Sequence, residues 1–400
     1  MNLAARTITL DPIGDAGGSG PSDAVRWLPP TGSRLGSGRV VSGPALEVTK
    51  AIADARHQRP DGAPPLAAFG SIPFRGDALL SVPAIQIVTQ HGQSWATLAV
   101  PHGKPPGAHD VEAAVADLLA TTPATRSPGH YDVRASQPAD AWCATVGTAR
   151  ERVRAGDAVK VVLGREIVVS TDRPLDPSVL AMRLHTAFPS CTAFHVDGLV
   201  GASPELLVSR SGRRVRSHPL AGTAPRSGDP SADARLAASL LASAKERIEH
   251  QITIARVHET LLPHCSYLDA EAEPSVVAVA NVQHLGTMVE GHLSDPAPSS
   301  FELAVMLHPT PAVGGEPRDA ALALIDELEP GDRGRYAGAV GWVDAAGDGE
   351  WMVAIRCAEL VGAVAHVWAG VGIVEDSDPT AELAETRAKL RAVLGAIIEP

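Results

Sequence analysis

Two pairs of glutamates share one spacing: Glu246 and Glu249 in SAKERIEH, and Glu382 and Glu385 in AELAETRAKL. On a helix, positions i and i+3 share a turn, where two carboxylates repel each other unless a cation sits between them. One such pair is ordinary. Two pairs on separate helices point to a hard divalent cation, because Mg2+ takes oxygen ligands and keeps several waters. On the second helix alone, a solvated face with a Glu385–Lys389 salt bridge is the plainer reading. Lys160 lies in AVKVVLGREIVVS, where alternation puts it on the face of Val162. A lysine there usually marks a strand edge, its amine reaching water. The alternative is a desolvated amine fit to act as a base. Glu205, just after the proline of GASPELL, is a candidate acid. The small-residue loop expected at Ala221-Gly222-Thr223-Ala224 lets backbone N–H groups approach an anion, although Gly-Thr most often marks a mere turn. Arg356, read as mid-strand on a face with Met352, Ala354 and Ala358, calls for a carboxylate, either a bound one or a structural partner in Glu359 or a helix acid. His284 stands alone, and a lone histidine is more often structural.

These residues need elements to hold them. Residues 364–374 read as a strand, followed by Asp378 as N-cap and Pro379 as the first helical residue. Leu383, Leu390, Val393, Leu394 and Ile397 then recur at helical spacing. Residues 230–264 read as one long helical region with Ile248, Ile252, Ala255 and Leu262 inward. Residues 158–170 form a β-branched strand. Helices are expected at 111–120, 139–156 (alanines and Val153 inward), 175–187, 301–307 and 318–328. Strands are expected at 67–74, 84–88, 192–198, 206–210, 215–221 and 276–281. Residues 337–343, 351–360 and 364–374 read as an antiparallel meander. Loops are expected at GDAGGSGPSDA, 51–65, 123–130 and HPTPAVGGEP. The sum is an α+β protein: a single large domain of stacked, mostly antiparallel sheets flanked by helices. Residues 1–60 read as a variable segment of that domain and 61–400 as its catalytic part.

The 400 residues are 44% hydrophobic and 20% charged, a globular balance. The net charge of −12 without a Lys/Arg run argues against nucleic acid and anionic membranes as partners. Apolar runs such as VWAGVGIV are too short to span a bilayer. MNLAARTITLDP lacks the features of a signal peptide, so a cytoplasmic location is expected. Cys143, Cys191, Cys265 and Cys357 are scattered and read as free thiols.

The motifs AFGSIPF, KVVLGR, GASPELL, PLAGTAPR, SAKERIEH, HPTPA, GRYAGAVGW, AIRCAEL, AGVGIV and AELAETRAKL follow one another in an order that resembles the chorismate-utilising enzymes, isochorismate synthases most closely. The resemblance covers residues 67–398. It implies a Mg2+-dependent isomerase acting on chorismate, the kind of enzyme that serves siderophore or menaquinone biosynthesis. By the same resemblance Lys160 is the base for water and Glu205 the acid for the departing hydroxyl. Glu249 and Glu385 would be direct Mg2+ ligands, with Glu246 and Glu382 acting through waters. Gly222 and Thr223 would line the pocket of the ring carboxylate, and Arg356, Tyr336, Gly370 and Lys389 that of the enolpyruvyl carboxylate. His284 would lie near the reacting hydroxyl. Ala221 stands where covalent aminodeoxychorismate synthases carry lysine, and Lys160 is absent from anthranilate synthases. Ala312 replaces the threonine of salicylate synthases, which argues against pyruvate elimination. Gly314 departs from a frequent serine. A monomer without a glutaminase subunit is expected; salicylate synthase and a non-catalytic chorismate-binding paralogue are the alternatives.

Overall fold

The computed structural model describes residues 2–11, 24–120, 127–279 and 282–398. Among these residues the strands form sheets of thirteen, nine and three strands. The pairings are antiparallel, apart from Leu3–Leu10 with Arg56–Gln58. The α+β architecture expected from the sequence is thus the observed one. The two larger sheets share one core, to which Trp27, Leu163 and Phe194 come from the first and Phe69, Val340 and Trp351 from the second. Strand Ala67–Ile72 is buried along its whole length, lying between Leu79–Val82 and Ala339–Asp344. Its run of small and apolar residues suits a strand covered on both faces.

Strand Lys160–Thr171 pairs with Val364–Ile373, setting Val162 opposite Gly372 and Gly164 opposite Gly370. Along Val364–Ile373 every second residue is buried, and Ala365, Val367 and Ala369 pack in a second core beneath helix Pro379–Ile398. Leu383, Leu390, Val393 and Ile397 of that helix are buried and Leu394 partly so, as their spacing predicts. Asp378 caps it, its Oδ1 accepting from Ala381 N at 2.8 Å.

Several expectations change. Residues 45–53 form a helix, with Val48, Ala51 and Ile52 inward, where a loop was expected from residue 51. In helix Ala139–Arg154 the inward residues are Trp142, Val146, Ala149 and Val153, with Ala141 and Ala144 exposed. The region 230–264 divides into Pro230–Ala242 and Ala244–Leu261, and Ser243 caps the second helix by accepting from Glu246 N. The expected stripe is out of phase. Ile248 and Leu262 are exposed, whereas His250, Thr253, Val257 and Leu261 face inward. The stretch around Gly222 is not a loop but strand Leu220–Pro225, with a bulge between Ala221 and Thr223. Residues 351–360 are not one strand. Gly349–Val353 belongs to the nine-stranded sheet and Cys357–Val361 to the thirteen-stranded one. The chain changes sheets at Ala354–Arg356, where Arg356 has φ +53°. The loop expected at GDAGGSGPSDA lies almost wholly outside the described residues, as do 123–126 of the loop expected at 123–130, whose remainder is irregular, and 280–281 of the strand expected at 276–281, which runs Ser275–Val279.

The same change of sheet occurs once more nearby. Leu199–Ser203 belongs to the thirteen-stranded sheet and Leu206–Ser211 to the nine-stranded one, with Pro204 and Glu205 between them. The two crossings are tied together: Val353 N donates to Glu205 O, Ser203 Oγ to Val353 O, and Ala202 N to Arg356 O.

Candidate active site

The two crossings deliver Glu205 and Arg356 to one cleft, of about 810 Å3 including its mouth. Its walls also carry Gly222, Thr223, Glu246, Glu249, His284, Ala312, Tyr336, Gly370, Glu382, Glu385 and Lys389. Every candidate site residue named from sequence lies on this wall except Lys160, and Gly314, noted there as a departure, does not line it. That lysine stands immediately behind it, buried, with Nζ donating to Glu249 Oε1 at 2.7 Å. It is not at a strand edge: its strand pairs with Gly315–Glu316 on one side and Val364–Ile373 on the other. A Cβ on Gly372 would come within 2.6 Å of Lys160 Cε, so the missing side chain is what lets the lysine lie across the strand. A Cβ on Gly370 would meet the Tyr336 hydroxyl at 2.9 Å.

Four carboxylates from two helices face the same space. Glu246 Oε2 accepts from Thr223 N at 3.1 Å, and Glu385 Oε1 pairs with Lys389 Nζ at 2.6 Å. Lys389 also donates to Gly370 O at 2.9 Å. Gly222 has φ +75°, and a Cβ there would press on Glu246 Oε2 at 3.0 Å, so glycine is required twice over. Among the described residues no three His, Cys, Asp or Glu side chains are drawn close enough to hold a metal. Glu249 and Glu385 instead each pair with a lysine Nζ, of Lys160 and of Lys389. The donor set is nonetheless one that suits Mg2+: hard oxygens, more of them than protons to neutralise, with room for water.

Glu205 is 3% exposed, and burial pushes its carboxyl up to about 8, against the pull of the Leu220 N–H and the Lys160, Arg356 and Lys389 cations. At neutral pH it is therefore chiefly a protonated acid. Arg356 is buried as well, which lowers its pKa. Glu359 pairs with Arg335, and no carboxylate within 4 Å of the Arg356 guanidinium is found among the described residues. The structural salt bridge considered from sequence is thus not the one formed. Arg356 Nη2 instead lies 3.2 Å from His284 Nε2. Tyr336, its phenol pKa raised by burial, stacks on Trp368 with ring centres 5.9 Å apart.

Such a cleft can accept a small, multiply charged molecule and offer it a protonated acid, an amine, a guanidinium and a carboxylate cluster. Sequence reasoning did not single out Val162, Leu220, Val313, Ile355 and Gly372, which also line it. Val162 had a signal, as it shares the face of Lys160. Gly372 had only its place two residues after Gly370.

The family described as chorismate binding enzyme matches residues 73–398. A Mycobacterium tuberculosis protein (strain H37Rv), provisionally named isochorismate synthase MenF, is 48% identical over 277 residues, 65% of this chain and 73% of its own length. Isochorismate synthase DhbC of Bacillus subtilis (strain 168) is 44% identical over 257 residues, 62% of this chain and 65% of that one. Among solved structures, a DhbC from Bacillus anthracis, provisionally a 2,3-dihydroxybenzoate-specific isochorismate synthase, superposes with a TM-score of 0.80 and 32% identity. That match covers 94% of this chain and 96% of the other.

Proposed function

This chain belongs to the chorismate binding enzyme family, and from that premise we propose that it is an isochorismate synthase, adding water at C2 of chorismate and expelling the C4 hydroxyl. The observation that carries this reading is Glu205: a buried carboxyl still protonated near neutral pH, in the cleft whose wall Lys160 backs. Lys160 takes a proton from the attacking water as the C2–O bond forms. The ring double bonds shift, the C4–O bond breaks, and Glu205 gives its proton to the departing oxygen, which leaves as water. One water enters and one leaves, so the reaction should be nearly thermoneutral.

Arg356, with Tyr336, Gly370 and Lys389 around it, would take the enolpyruvyl carboxylate. Gly222 and Thr223 would border the ring carboxylate. Glu249 and Glu385 would hold Mg2+ directly, and Glu246 and Glu382 through waters. When bound, the ion would supply positive charge for the ring carboxylate. Water is the only nucleophile in this reading, so no ammonia-delivering partner is required; a cytoplasmic monomer is proposed alongside it, and light scattering tests the monomer.

Purified protein should be incubated with chorismate and Mg2+, without ammonia, and the products followed by chromatography and proton NMR. Isochorismate formed with Mg2+ and lost on chelation is the expected result. Enzyme-dependent salicylate and pyruvate would overturn the assignment in favour of a salicylate synthase. Chorismate binding without turnover would replace it with a non-catalytic role.

A further inference from the structure

His284 is buried on strand Val282–Gly286, which pairs with the bulged strand Leu220–Pro225. Its Nδ1 lies 3.0 Å from Gly222 O. A carbonyl oxygen only accepts, so Nδ1 carries the ring proton. Thr223 Oγ1, 3.2 Å from the same nitrogen, shares that proton. The other nitrogen, Nε2, lies 3.2 Å from Arg356 Nη2, and a guanidinium only donates. Both contacts demand the same tautomer. Burial and the Arg356 charge hold the imidazole pKa down to about 3, so the ring stays neutral at working pH. A single peptide unit anchors this arrangement: Gly222–Thr223 gives its carbonyl to His284 and its N–H to Glu246.

We propose that His284 is a positioning residue acting through Arg356: its Nε2 accepts from the guanidinium and aims it into the cleft, while the Gly222–Thr223 peptide fixes the ring. The identity of the carboxylate that Arg356 then meets, that of the substrate's enolpyruvyl side chain, rests on the isochorismate synthase reading. With one nitrogen committed to a carbonyl and the other to a guanidinium, His284 has no proton to deliver to a departing hydroxyl. Arg356 leaves a sheet crossing with positive φ, outside the regular strands on either side of it, and His284 fixes where its guanidinium points.

Two measurements test this. In 15N-histidine NMR, the His284 signal, identified among the 15 histidines by its loss in His284→Gln, should show a protonated Nδ1 and a bare Nε2. The Nε2 resonance should move in Arg356→Gln. In kinetics, His284→Leu should raise KM for chorismate roughly tenfold or more, with a smaller change in kcat and both limbs of the pH profile retained. His284→Gln, whose side-chain oxygen can accept, should recover part of that loss. Adding His284→Leu to Arg356→Gln should cost little further in KM. A protonated Nε2, a loss concentrated in kcat, a vanished pH limb or additive effects on KM would each overturn the proposal. Should the wild type form no isochorismate, the functional reading fails, and the tautomer with its response to Arg356→Gln still decides whether His284 holds the guanidinium.

Discussion

Glu205 joins chemistry and stability in one group. Its folded pKa of about 8 stands above the ordinary 4.5, so the folded chain keeps a proton that the unfolded chain releases. The stability this contributes is complete below pH 4.5 and is lost as pH rises through about 8. Glu205→Gln should therefore gain melting temperature relative to wild type more at pH 9 than at pH 4, while losing turnover by roughly 100- to 10,000-fold. Wild-type activity should fall as pH passes about 8. An unchanged melting difference across that range would refute the buried-acid assignment. Gly372 is the opposite kind of residue, effective by having no side chain. Gly372→Ala would push Lys160 from its place, lowering kcat roughly 10- to 100-fold with circular dichroism and melting nearly unchanged. Side-chain type and spacing drew attention to Lys160, Glu205 and the four carboxylates from sequence alone. Gly372 escaped because its requirement is set by a lysine from a distant part of the chain.

At the level of elements, helix Pro379–Ile398 was legible almost to the residue, because Asp378, Pro379 and the apolar spacing all mark the same start. Asp378→Ala should cost about 1 kcal/mol in urea unfolding. Helix Ala244–Leu261 misled for a physical reason. Its inward face carries His250 and Thr253 beside Val257 and Leu261, so a hydrophobic count selects the wrong side. The sheet crossings were hidden as well. MVAIRCAEL contains no glycine or proline to mark where the chain leaves one sheet for another, and Arg356 takes its positive φ without help from its own type. Alternation alone reads a continuous strand there, because it sees a residue's neighbours along the chain and not the sheet to which they pair.

For the molecule as a whole, one buried ion pair ties the parts around the cleft. Arg333 donates to Glu329 Oε2 at 2.9 Å, to Val313 O at 2.9 Å and to Val162 O, while Glu329 Oε1 accepts from Gly164 N at 2.6 Å. The Phe74 ring covers the guanidinium at 4.3 Å. Arg333→Met should destabilise the protein by ~3–5 kcal/mol in denaturant titration, since it strands Glu329 without a partner. A change below about 1 kcal/mol would mean that water reaches that carboxylate.

The long reach of strand Ala67–Ile72 has a consequence for how the protein is made. Phe69 pairs with Trp342 on one side, although its other neighbour, Leu79–Val82, follows it closely in the chain. During synthesis at about 5–20 residues per second, the apolar strand leaves the ribosome on the order of tens of seconds before that distant partner exists. Through that interval one edge, buried in the finished protein, is open to any other unpaired strand. A nascent chain therefore needs shelter from its neighbours until strand Ala339–Asp344 has been translated.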